Sequence, residues 1–223
     1  SGSPLIANDP HLSLTQPPVF HEEHLNTKRA GGDINAGGVI FPGAPGIVIG
    51  FTENIAWAET VVGYDVTDFY VEVLSSPAKP WKVLRNGEWI GVTSRTEIIP
   101  FAPSGNSCSI PDEIVNEIKG YPVDVGSPSY SKDTGMCVLP VVIYEVDGHG
   151  PVVSALLDEN PPQLITVRWT GFEPSLELKT FLGYMKAKNI NDAKEAVKNF
   201  EVGAQNQLII DREGNIGWFP HAR

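Results

Sequence analysis

The chain has 223 residues, enough for one domain with a core that buries roughly 70% of the unfolded surface. Its formal net charge is −11, which disfavours nucleic acid and anionic membranes as partners. Charged residues are 19% and hydrophobic ones 41%, a globular balance that excludes disorder. No segment approaches the ~20 apolar residues of a membrane span. Ser1-Gly2-Ser3-Pro4 lacks the basic region and apolar core of a signal peptide, which says little if the chain is a fragment.

In chain order, Leu5 to Ala7 predicts a short strand running into an Asn8-Asp9-Pro10 turn. Pro17 to Phe20 is extended. Gly31-Gly32 and Gly37-Gly38 punctuate apolar strand pieces, as tight turns and close backbone approach require. The stretch Gly43 to Asp68 organises the rest. Ile47-Val48-Ile49 suits a covered strand, Gly50 to Asn54 a turn, and Ile55 to Thr60 a second strand. Asp65-Val66-Thr67-Asp68 then sets two carboxylates and a hydroxyl in a tight loop. Two buried strands, a turn and an acidic loop so close together suggest a site built on a rigid sheet.

Phe69 to Leu74 is strand-like. Trp81 to Ile90 reads as a hairpin turned at Asn86-Gly87, and Thr96 to Pro100 as a strand. Residues 102–136 lose periodicity, which predicts an irregular insertion holding a short helix from Asp112 to Lys119. Strands resume at Val141 to Val146 and Leu164 to Trp169, with a His149-Gly150-Pro151 turn between them. Leu178, Phe181, Leu182 and Met185 fall at helical spacing behind a Ser175 cap. Ala193, Ala196, Val197 and Phe200 do so behind Asn191. A hairpin from Gln207 to Phe219 closes a single domain over 1–223, an α+β fold of stacked layers. Cys108 and Cys137 are compatible with one disulfide or two free thiols.

Composition and spacing alone name no function. An ordered series of motifs does more: Leu5-Ile6-Ala7-Asn8-Asp9-Pro10-His11-Leu12, Phe20-His21-Glu22-Glu23-His24-Leu25, Pro42-Gly43 with Pro45-Gly46-Ile47-Val48-Ile49-Gly50, Ile55-Ala56-Trp57, Asp65 with Thr67-Asp68, His149-Gly150-Pro151, Arg168-Trp169-Thr170, Gln205-Asn206, and Asp211 with Gly214-Asn215-Ile216-Gly217. Each is weak alone; their succession is specific. It resembles the β-subunit of the penicillin acylase family, the N-terminal nucleophile hydrolases that include cephalosporin and acyl-homoserine-lactone acylases. The likeness spans nearly the whole chain outside 102–136.

The resemblance implies an αββα sandwich, here partial, made by self-cleavage of a precursor. It implies hydrolysis of a small-molecule N-acyl amide through an acyl-enzyme, a separate α-subunit from the same precursor, and a periplasmic or extracellular location. The family nucleophile is an N-terminal serine whose own amine is the base. It lies roughly a dozen residues before the Asn-Asp-Pro-His turn, whereas Ser1 lies seven before Asn8. The expectation is a chain that lacks that serine and is truncated at both ends; the alternative is a shortened nucleophilic end at Ser1. Asn206 matches the side-chain oxyanion donor, Val61 the backbone donor, and His11 the position beside the nucleophile's amine. His11 with Val61 is closer to the cephalosporin and homoserine-lactone acylases than to penicillin G acylases, which carry Gln and Ala.

The bland readings are a hairpin Asn satisfying local backbone, a strand-end core residue, and an exposed turn His. Asp65, the Thr67 carbonyl and Asp68 match a structural Ca2+ loop, although calcium takes about six to eight oxygens and three are visible. His21 and His24 bracket two glutamates without a third ligand at metal spacing. His149 reads as a structural turn residue, and Phe20, Ile47 and Trp57 as lining an acyl pocket or as core. Two rival readings stand: a catalytically inactive structural or binding domain of the same fold, and a calcium-dependent interaction module at Asp65 to Asp68.

Overall fold

Alternating β-branched and aromatic residues give a chain built chiefly of antiparallel strands. The computed structural model describes residues 3–105 and 107–221. In chain order the elements are β1 (His21–Asn26), β2 (Asn35–Ile40), β3 (Ile49–Thr52), β4 (Ile55–Val61), β5 (Thr67–Val73), β6 (Lys82–Arg85), β7 (Glu88–Gly91), β8 (Thr93–Phe101), α1 (Asp112–Lys119), β9 (Asp124–Val125), β10 (Ser129–Ser131), β11 (Met136–Val146), β12 (Gly150–Leu156), β13 (Gln163–Trp169), α2 (Glu177–Lys186), α3 (Ile190–Val197), β14 (Gln205–Asp211) and β15 (Ile216–His221). The chain forms two compact units, Ser1–Val66 with Thr170–Arg223, and Thr67–Trp169. The segment that interrupts the first unit is thus wider than the 102–136 insertion expected from composition.

The first unit is a six-stranded sheet in the order β1-β2-β3-β4-β14-β15. Helices α2 and α3 cover one face. Their Phe181, Tyr184, Met185, Ala193, Ala196 and Val197 pack with Ile47, Val48, Ile55, Trp57 and Ile209 in one core. Burial of such side chains is worth about 1.5–3 kcal/mol each. Trp57 donates its indole N–H to the Val48 carbonyl at 2.9 Å, so the largest core side chain leaves no polar atom stranded. The helices touch closely at Gly183, where any side chain would collide with the Ala196 Cβ. One sheet and one helical layer are therefore in place among the described residues of this unit.

Several local expectations are corrected. Leu5 to Ala7 forms no strand, and Leu5 is exposed; between two prolines it has no partner edge. The turn expected over Gly50 to Asn54 is mostly β3, with only residues 53 and 54 turning. The cap of α3 is Asn189, whose Oδ1 accepts from the Asn191 and Asp192 amides. Ser175 does not cap α2; its hydroxyl donates to Glu177 Oε2 at 2.6 Å. Leu178 and Leu182 lie on the exposed side of α2, because Thr180 and Tyr184 share its buried face with Phe181 and Met185.

The second unit is a seven-stranded sheet running β10-β11-β12-β13-β5, with β8 and β9 also paired to β11. The β6–β7 hairpin turns at Asn86 and Gly87, both at positive φ, as a two-residue loop demands. Leu74, Trp81, Val83, Val146, Val152 and Leu164 form its core. A disulfide joins Cys108 to Cys137, with Cα atoms 5.5 Å apart. Glu72, almost fully buried, takes a hydrogen bond from His149 Nδ1 at 2.5 Å and one from Thr166 Oγ1 at 3.2 Å.

Candidate active site

Strands β4 and β14 pair so that Trp57 faces Ile209, Glu59 faces Gln207, Thr60 faces Asn206 and Val61 faces Gln205. Side chains alternate across a strand. Trp57, Ile209 and Gln207 point into the helix-covered core, which sends Thr60 and Asn206 to the other face. Asn206 is held there from three sides. Its Nδ2 donates to Thr60 Oγ1 at 3.1 Å and to the Val61 carbonyl at 3.3 Å. Its Oδ1 accepts the Trp218 indole N–H at 2.8 Å. An indole nitrogen can only donate, so the amide is oriented with its N–H groups toward β4. Val61 is 74% exposed, so its side chain is open rather than core.

A cavity of about 540 Å³ opens beside Val61, lined by the segment 8–12, His11 included, by Phe20, Phe41, Val48, Ile49 and Glu59, by α2 and by the loop after α3. Asn8 brings His11 there by acting as a substitute peptide group: its Oδ1 accepts the Glu59 N–H at 2.9 Å and its Nδ2 donates to the Glu59 carbonyl at 3.2 Å. Pairing between β3 and β4 covers only Trp57 and Ala56, which leaves the Glu59 edge free for that amide. His11 Nε2 lies 3.3 Å from Asp9 Oδ2, both side chains being exposed. Phe20 lines the cavity and stacks on Phe41 with ring centroids 5.1 Å apart. Trp57 and Ile47 are in the core instead.

The same wall carries two carboxyls that sequence reasoning passed over. Glu177 sits where burial alone would raise its pKa, but the Ser175 hydroxyl and backbone N–H groups, including those of Val202 and Glu201, hold it below the usual carboxylate range. Glu59 behaves oppositely. Burial pushes it up to about 8, against a side-chain contact with Gln207 that lowers it. Neither its buried Oε1 nor Gln207 Nε2 has a hydrogen-bond partner at good geometry. Gln207 Oε1 accepts from the Tyr184 hydroxyl at 2.8 Å, whose own pKa burial and the nearby Glu59 drive upward. The signal was present: Glu59 has the same strand parity as buried Ile55 and Trp57.

Of the calcium-loop residues, Asp65 belongs to the first unit and Thr67 and Asp68 to the second. Asp68 Oδ2 accepts from the Tyr70 hydroxyl at 3.4 Å. Among the described residues no three His, Cys, Asp or Glu side chains gather as a metal-holding group. His24 Nε2 instead lies 2.8 Å from Asn35 Oδ1. Two carboxylates and one carbonyl do not complete a calcium shell. Ser1 lies outside the described residues. No helix among them is long and apolar enough to cross a membrane.

The penicillin amidase family model matches residues 1–223. Acyl-homoserine lactone acylase QuiP of Pseudomonas aeruginosa is 27% identical over 230 residues, spanning 98% of this chain and 22% of its own length. Acyl-homoserine lactone acylase PvdQ of Pseudomonas fluorescens is 22% identical over 215 residues, spanning 96% of this chain and 24% of its own. The chain thus spans about a quarter of these curated relatives. A thermostable penicillin G acylase from Alcaligenes faecalis superposes with a TM-score of 0.66 at 20% identity, covering 92% of this chain and 30% of that one; this is a likeness of fold. By the match over its whole length, the chain belongs to the penicillin amidase family.

Proposed function

We propose that the intact protein carrying this chain hydrolyses an N-acyl amide through an acyl-enzyme on an N-terminal serine. The observation that carries this reading is the Asn206 amide, oriented by Trp218 with its N–H groups toward Thr60 and the Val61 carbonyl, where Val61 in turn lines an apolar cavity. When a nucleophile adds to the acyl carbonyl, its oxygen becomes negative. The Asn206 Nδ2–H and the Val61 backbone N–H are its donors in this reading, and one such donor is worth roughly 3–4 kcal/mol of barrier. The cavity takes the acyl chain, and His11 stands at its rim. The relatives named as acyl-homoserine lactone acylases make N-acyl homoserine lactones the first substrates to try. The separate α-subunit and a periplasmic or extracellular location belong to this reading; the Cys108–Cys137 bridge supports an oxidising compartment. A calcium ion at Asp65, Thr67 and Asp68 would need oxygens from elsewhere, and calorimetric titration of the intact protein with calcium tests it.

The experiment is Asn206→Ala in the full-length precursor, read by turnover of N-acyl substrates and by circular dichroism. Loss of turnover with the fold retained supports the reading; full activity ends it. One observation favours a second reading, an inactive domain of the same fold: both Asn206 N–H groups are already spent on Thr60 and Val61, as a purely structural clamp would spend them. That reading expects no turnover in the wild type and a loss of stability in the variant. N-terminal sequencing of the mature large subunit from the natural host locates the nucleophile.

A further inference from the structure

We propose that Glu59 is the specificity-determining residue of the apolar cavity beside Val61, where it selects acyl chains bearing a hydroxyl or keto oxygen over plain hydrocarbon chains. The inference rests on the acylase reading for its substrate class, but not for its physical basis.

Phe20, Phe41, Val48, Ile49, Phe181 and Phe200 supply apolar wall to the cavity, and Glu59 interrupts them. A carboxyl there is costly. Packing alone favours a hydrocarbon at this position, since Ile55 and Trp57 precede it on the same face and are buried. Glu59 instead keeps an inner oxygen, Oε1, that is shut off from solvent and lacks a well-formed hydrogen bond, as does the neighbouring Gln207 Nε2. Native structures leave few such groups, and each calls for an explanation. The contact between the two is too poorly formed to satisfy either atom.

The backbone at Glu59 is held more firmly than its side chain. It is paired with Gln207 on one edge and bonded at both N–H and carbonyl to Asn8 on the other. A functional side chain on a fixed strand segment is well placed to discriminate between ligands. Its chemistry suits an oxygen-bearing chain. With its pKa near 8 the carboxyl is protonated at neutral pH, so it can donate to a keto or hydroxyl oxygen. A plain chain offers it nothing and leaves the polar group unpaired, and sites built to hydrogen-bond a ligand group discriminate strongly against analogues that lack it.

The test uses the full-length protein and calorimetric binding of hexanamide and its monohydroxy and mono-keto derivatives. The expected wild-type result is at least one oxygenated isomer binding about tenfold or more tighter than hexanamide. Glu59→Leu should erase that preference, and Glu59→Gln, which still donates, should keep most of it. A preference that is absent in the wild type, or equal in Glu59→Leu, overturns the proposal. Should Glu59→Leu fail to fold, pH decides. The keto preference of the wild type should fade above pH 8 as the acid loses its proton, while that of Glu59→Gln stays level; parallel behaviour of the two proteins overturns the proposal. Turnover of the matching N-acyl amides is read alongside. Turnover without oxygen preference sinks this inference and spares the acylase reading. A Glu59-dependent binding preference without turnover does the reverse.

Discussion

Trp218 donates its indole N–H to Asn206 Oδ1 at 2.8 Å, from the neighbouring strand β15. That one bond decides which end of the amide faces Val61. Replacing Trp218 with Phe keeps the ring and removes the donor, so the amide gains freedom to flip. Under the acylase reading, the expected outcome in the full-length protein is a fall in kcat of about tenfold with KM little changed. Asn206→Ala should cost about 100-fold to 1,000-fold. Steady-state kinetics on both variants checks the order, and a Trp218→Phe variant with unaltered kcat would show that the orientation is set elsewhere.

Glu59 ties stability to pH. Its folded pKa, about 8, stands above the ordinary glutamate value of 4.5 because burial penalises the charged form. The folded state therefore holds the proton more tightly than the unfolded one, and the stabilisation is complete below about pH 4.5 and lost as pH rises to about 8. At about 1.4 kcal/mol per pKa unit, the span is roughly 3–5 kcal/mol. Glu59→Gln cannot ionise and should flatten this part of the profile. Urea denaturation at pH 5, 7 and 9 measures it (~2 units per step); an identical slope in wild type and variant would contradict the assignment.

Much of this was legible in the residues, and the misses share a cause. The Asn86-Gly87 turn, the span of α1 and the buried face of α3 follow from local chemistry, and they stand where expected. The β4–β14 register does not, because Asn206 and Val61 are separated by most of the chain and only sheet pairing brings them together. Leu178 and Leu182 were misplaced because Tyr184 and Thr180 can go inside once their hydroxyls find Gln207 and the Ala196 carbonyl. Periodicity counts apolar residues and cannot see such partners. Glu59 and Glu72 escaped for the same reason: a carboxylate in a strand reads as solvent-facing until its partners, or its lack of them, are known.

The Glu72–His149 pair is expected to be structural. Glu72 Oε1 receives His149 Nδ1 and the Thr166 hydroxyl, and the His149 ring stacks on Tyr70 at 3.8 Å. Arg85 Nη2 lies 3.4 Å from His149 Nε2. Arginine only donates, so Nε2 accepts and the proton sits on Nδ1. Glu72→Ala strands the buried threonine hydroxyl and leaves the half-buried imidazole N–H without its acceptor, and should cost about 2–4 kcal/mol. Thermal denaturation should also rank Glu72→Gln as milder, since the amide oxygen can still accept. Equal melting temperatures for all three proteins would show that the pair contributes nothing.

The Cys108–Cys137 bridge should matter most to the segment it encloses. That segment holds α1, β9 and β10, and α1 buries none of its residues. Beside it lies an open cavity of about 600 Å³ lined by Ile99, Phe101, Ile110, Ile114, Ile118 and Leu139, so packing there is loose. A cross-link over a separation of 29 residues restricts the unfolded chain by an amount worth about 3–4 kcal/mol in the entropic account. Paired Cys108→Ser and Cys137→Ser substitution should therefore lower the melting temperature. It should also open the α1 region to limited proteolysis before the rest of the chain is cut, because a helix with no buried face has little else to hold it. Thiol labelling of the protein from its natural host supplies the control: labelled cysteines would mean the bridge is not formed there. A double variant with wild-type melting and wild-type protease resistance would show that the loop is held by its hydrogen bonds alone.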